Sequence, residues 1–139
     1  HAELGVAYAL KGDLDEAASA MERALDLAPD DSWTRVLLGL VDLELGLTEE
    51  AAEALIMAAE EREDDAEAHM LAALAAAAVG WDDAAHTALT RAEYAATGSE
   101  IDLVSEIEER IMAGRREARA MLMESLAPSI LRERLRQPL

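Results

Sequence analysis

Side chains able to do acid–base or metal chemistry are few in kind in this sequence: three histidines, 30 aspartates and glutamates, and no cysteine. A zinc site needs three or four ligands brought together at helical or short-loop spacing. His1 and His69 lie 68 residues apart, and His86 has no second ligand at helical spacing, so no metal site is implied. The run EEREDD at 60–65 carries enough charge for a cation. It lacks the glycine turn and alternating oxygen ligands of a calcium loop. There is no glycine-rich phosphate loop and no nucleophile with a base at triad-like spacing. No catalytic residue and no cofactor is expected, and a non-enzymatic chain follows.

The elements that carry these residues are helical in composition. Hydrophobic residues make up 52% of the 139 residues, Phe is absent, and only seven Gly and three Pro interrupt them. The apolar run around Leu71–Val79 falls well short of the roughly 20 residues that span a bilayer. Charge is unevenly placed. Residues 1–109 hold 27 acids against 5 Lys and Arg, whereas residues 110–139 hold 7 Arg against 3 acids. So acidic a body repels phosphate backbones, which excludes nucleic acid as a partner of the main body. The missing cysteine leaves the redox compartment open, and nothing at the start reads as a signal peptide. A cytoplasmic location is expected.

Gly12, Gly46, Gly80 and Gly114 recur every 34 residues, and the first three share their surroundings: GDLDEAA, GLTEEAA and GWDDAAH. Ala17, Ala51 and Ala85 fall in one register, as do Met21, Leu55 and Leu89, then Ala24, Ala58 and Ala92. Each unit reads as a helix, a turn at the glycine and a second helix. Two antiparallel helices that cross closely need small residues at the crossing, supplied by Gly5, Gly39 and Ala73 facing the three alanines. One hairpin cannot bury its apolar face alone, so neighbours must stack. Acids at the helix starts, among them Asp13, Asp31, Glu49, Glu50, Asp65, Asp82 and Asp83, are expected to cap and to complement the helix dipole.

With LGVAY, Ala17, Met21, Ala24 and Pro29 in that order, the first copy closely resembles the tetratricopeptide repeat family. Later copies depart from the pattern: Asp42 and Ala76 replace the aromatic Tyr8, and Glu63 and Thr97 replace Pro29. His1 and His69 take the position where the family often has Trp, which implies a packing or rim role rather than metal binding. The resemblance implies an all-α, right-handed superhelical solenoid of antiparallel helix pairs with a C-terminal capping helix. Three repeats occupy residues 1–97 (1–31, 32–65 and 66–97). The first starts at its fourth position, so a piece of a longer protein with further repeats upstream is expected.

In that family the first helices line a concave, ligand-binding face. Carried over, the lining is Val6 and Leu10, then Trp33, Val36, Leu37, Leu40, Leu43 and Glu44, then Glu67, Met70, Leu71 and Leu74. It is apolar, which disfavours the acidic chaperone tails that some members clamp with Lys, Arg and Asn. An apolar face must be covered, and an amphipathic helix, from a partner or from this chain, fits it. The alternative role for some of these leucines is ordinary packing between repeats.

Residues 98–127 read as a capping helix or a degenerate fourth repeat. Their stripe of Ile101, Val104, Ile107, Ile111, Ala118, Met121, Leu122 and Leu126 favours one long helix ending before Pro128. Residues 128–139 form a short basic amphipathic tail in which Arg132, Arg134, Leu135 and Arg136 are candidate contacts for an acidic protein or, weakly, a membrane. The expected function is a protein-binding adaptor or scaffold with an unknown protein partner. The alternative is self-assembly, in which the C-terminal helix or tail fills its own or a neighbour's groove.

Overall fold

A computed structural model of the protein describes Gly5, Tyr8 and residues 11–135, with the side chains of residues 131, 134 and 135 left out. The described residues are helical throughout, joined by short turns. Gly5, Tyr8 and Lys11 are helical and lead into α1 (Leu14–Leu27). Then follow α2 (Ser32–Glu44), α3 (Thr48–Glu61), α4 (Ala66–Ala78), α5 (Asp82–Ala95) and α6 (Glu100–Ala113). A final helix comprises α7 (Arg115–Met121), a π-helical turn (Leu122–Leu126) and α8 (Ala127–Leu135). Consecutive helices pack on one another to give a solenoid of antiparallel helix pairs.

The 34-residue glycines make the hairpins. Gly46 and Gly80 sit at φ 83° and 82°, a left-handed conformation that glycine adopts without steric cost. At each, the following N–H reaches back five residues: Leu47 to the Asp42 carbonyl and Trp81 to the Ala76 carbonyl, both at 2.9 Å. Gly46 and Gly80 themselves donate to Leu43 and Ala77 at 3.1 Å. These paired bonds satisfy the last carbonyls of α2 and α4 and reverse the chain. Asp31 and Asp65 then start the next helix pairs by accepting from the Thr34 and Ala68 N–H groups at 3.1 and 3.2 Å. Acids in the first turns of α1, α3 and α5 make no such cap bond and act through the helix dipole.

Close crossing of the paired helices depends on the small residues identified above. A Cβ added to Gly5 would stand 2.7 Å from Met21 Cγ, and one added to Gly39 would stand 2.8 Å from Leu55 Cγ. Ala17, Ala51 and Ala85 are buried at these crossings. The alanine run is the inside of α4, buried from Ala66 to Ala77 except for Glu67.

Residues 99–126 are two helices rather than the one long helix favoured above. The break falls at Gly114, at φ 121° and ψ 175°, a φ well away from the 81–83° of the other repeat glycines. Elsewhere one further residue (Asp13, Leu47 or Trp81) follows the glycine before the next helix starts. Gly114 instead ends α6 by donating to Ile111 and opens α7 by accepting from Ala118, both at 3.1 Å. With that spacer missing, the next helix leaves along a different path. Pro128 does not stop it either, as the helix continues to Leu135. The π turn just before it shifts the carbonyls that a proline ring would meet in a regular α-helix.

Candidate functional site

The apolar side of α2 and α4 is the surface that the family resemblance assigns to a ligand. Val36, Leu40 and Leu43 of α2 and Met70, Leu71 and Leu74 of α4 are all buried. They share one hydrophobic cluster with Ala118, Met121, Leu122, Leu126, Ala127 and Ile130. Those six residues recur at i, i+3, i+4, i+8, i+9 and i+12, which puts them on one side of the last helix. Its first half and the π turn lie on α4, and α8 reaches α2, so the C-terminal helix runs back across the first helices of repeats three and two. The face is therefore covered from within the chain.

Not every residue expected in that lining belongs there. Leu37 is buried in a second cluster with Ala17, Met21, Leu38 and Val41, between repeats one and two, which is ordinary inter-repeat core. Trp33 is half-buried and touches both clusters, and the Arg62 guanidinium lies 5.3 Å from its ring centroid. Arg62 also pairs with Asp65 at 2.8 Å, so Trp33 adjoins a charged pair as well as both clusters. Glu44 is exposed and Glu67 half-buried. Val6 and Leu10 lie outside the described residues.

Along the C-terminal segment, Val104 and Ile107 are buried against the third repeat, Ile111 is half-buried, and Ile101 is exposed. In the tail, Ile130 is buried and Arg132 exposed. Arg134 and Leu135 are helical in backbone, and Arg136 lies outside the described residues. The tail therefore starts as a continuation of the covering helix. Two contacts hold that helix at its start: Arg110 and Glu117 pair at 3.6 Å, and the Arg115 guanidinium lies against Gly80. The latter sets a positive charge at the C-terminal end of α4, where the helix dipole is negative.

Two ionisable groups are buried in the body. His69 on α4 is 1% exposed, with Nε2 2.9 Å from the Glu63 carbonyl oxygen. A carbonyl only accepts, so Nε2 carries the proton and donates. His69 thus packs within the fold, as its repeat position implied. Asp42 on α2 is also buried. Burial, with Glu22 and then Glu50 nearby, pushes its carboxyl from 3.8 up to about 6. Among the described residues no three carboxylate or imidazole groups converge on a point that a metal ion could occupy, and no helix is long and apolar enough to cross a membrane.

The repeated turn, the small-residue crossings and the helix-lined face coincide with a match of residues 8–75 to the family described as tetratricopeptide repeat. Over residues 8–75 the chain is similar to tetratricopeptide repeats. A curated relative, the BBSome complex member BBS4 of Bos taurus, is 38% identical over 52 residues, which make up 37% of this chain and 10% of that protein. The chain thus spans about a tenth of the length of the curated relative it matches. Tetratricopeptide repeats, which this segment resembles, are typically non-catalytic protein-interaction modules. Sequence patterning found both surfaces that meet here, the lining of α2 and α4 and the stripe of the last helix. It offered the C-terminal helix as an alternative occupant of that lining, and Met121 and Leu122 share one hydrophobic cluster with Met70 and Leu74.

Proposed function

We propose that the chain is a non-catalytic adaptor or scaffold segment whose apolar interaction face is held by its own C-terminal helix until a partner helix of similar character takes its place. The observation that carries this is the common cluster of Leu40, Met70 and Leu74 with Met121, Leu122 and Ile130. An amphipathic helix laid along an apolar groove is a general mode of protein recognition, and here the occupant comes from the chain itself. BBS4 is by its printed name a member of a complex, and likeness over the aligned segment supports a role within an assembly. The same helix seated on a neighbouring copy would build a scaffold. Opposite charge on the body (27 acids against 5 basic residues) and on residues 110–139 (3 acids against 7 arginines) favours that as the second arrangement.

A labelled synthetic peptide of residues 115–135 tests both arrangements. Against the wild-type chain it should bind weakly, since the face is occupied. Against a Met121→Glu, Leu122→Glu double variant, whose own helix cannot seat, it should bind at least about tenfold more tightly. Equal affinity for the two, or no binding to either, would contradict the proposal.

A further inference from the structure

The outer side of the solenoid carries an opening that the groove does not use. Between α3 and α5, above His69, lie two adjoining cavities of about 590 and 230 Å³ that share Ala59, Glu60, His69 and Arg91. The junction one repeat earlier explains why there is room. Leu25 and Leu38 there correspond, 34 residues on, to Ala59 and Ala72, and Arg35 corresponds to His69. Arg35 fills its place: Nη2 donates to the Pro29 carbonyl at 2.6 Å, Nη1 pairs with Glu61 at 2.8 Å, and its side chain is only 12% exposed. Pro29 in turn corresponds to Glu63, whose carbonyl accepts from His69. The second junction thus makes the same backbone bond with a shorter side chain and two fewer leucines. It is the counterpart of the Arg35 site without a guanidinium, and Ala95 stands where Glu61 pairs with Arg35.

What remains around the opening suits a guanidinium from outside. Nδ1 of the buried His69 has no hydrogen-bond partner, and with the proton on Nε2 it is an acceptor in want of a donor. The carboxylates of Glu60, Glu63 and Asp64 line the larger cavity against one cation, Arg91. Tyr94 stands at the same cavity 95% exposed, with a ring face free to stack. A planar guanidinium stacks on such a ring and forks to carboxylates, where an ammonium offers only a point charge. We propose that the opening between α3 and α5 is a binding site for an arginine side chain carried by a partner protein. It rests on the outer junction alone and is independent of what occupies the inner face.

The test is a titration of the full chain, followed by NMR, with N-acetyl-arginine methylamide and separately with its lysine counterpart. Saturable shifts are expected at His69, Thr90 and Tyr94 with the arginine compound, about tenfold weaker with lysine. The exposed pair Glu60→Gln, Glu63→Gln should weaken arginine binding about tenfold or more while leaving helicity unchanged. His69→Arg, which refills the opening as Arg35 fills its own, should abolish the shifts in a chain that still folds. Shifts that do not saturate, that treat arginine and lysine alike, or that persist in His69→Arg would overturn the assignment.

Discussion

Asp42 occupies the register position of Tyr8 in repeat one and Ala76 in repeat three, so a carboxylate stands where its neighbours carry an aromatic ring or a methyl group. Burial and the nearby Glu22 and Glu50 raise its carboxyl to about 6. A group whose folded value lies above its unfolded value stabilises fully below the unfolded value near 3.8, and that contribution is lost as pH rises through about 6. At neutral pH the ionised Asp42 is therefore a cost to the fold. Asp42→Asn should stabilise the chain at pH 7.5 by about 1–2 kcal/mol, after allowance for solvent screening. The gain should shrink below pH 6 and vanish near pH 4. Urea melts of both proteins across that range check it, and a gain independent of pH would contradict the assignment.

At the scale of the element, the helix pair is fixed by contacts that leave no space for a methyl group. Gly39→Ala would drive a Cβ to within 2.8 Å of Leu55 Cγ, the branch point rather than the flexible end of that side chain. Overpacking of this kind outweighs the gain in helix propensity, and a net loss of about 1–2 kcal/mol is expected. Leu55→Ala opens the space, so the double variant should lose less than the sum of the two single ones. Strict additivity in denaturant melts would count against the crossing. This level of structure was legible in the sequence because each crossing repeats: Gly39 with Ala51 and Leu55 has the same spacing as Gly5 with Ala17 and Met21. The last helix was not legible in the same way. Gly114 keeps the period, but a period fixes where a turn falls and not the dihedral angles it adopts. For Leu37 the sequence left groove and inter-repeat core open for a related reason: a position on a first helix has two apolar sides, one toward the groove and one toward the previous repeat. Only the packing separates Leu37 from Leu40.

For the whole molecule, a solenoid must cover the apolar faces that stacking leaves open. In this chain α6 covers the end of the third repeat and the helix from Arg115 to Leu135 covers the inner face. That helix carries arginines onto an acidic body and joins it through one glycine, and under the adaptor function proposed above its seat is a contact that another helix replaces. The measurement that bears most directly on this is site-resolved amide hydrogen exchange of the wild-type chain beside the Met121→Glu, Leu122→Glu variant. Loss of the covering helix should speed exchange at least about tenfold in α2 and α4, while α1 and α3 change little. Unchanged protection of α2 and α4 in the variant, or a loss spread evenly over all the helices, would contradict the covered inner face.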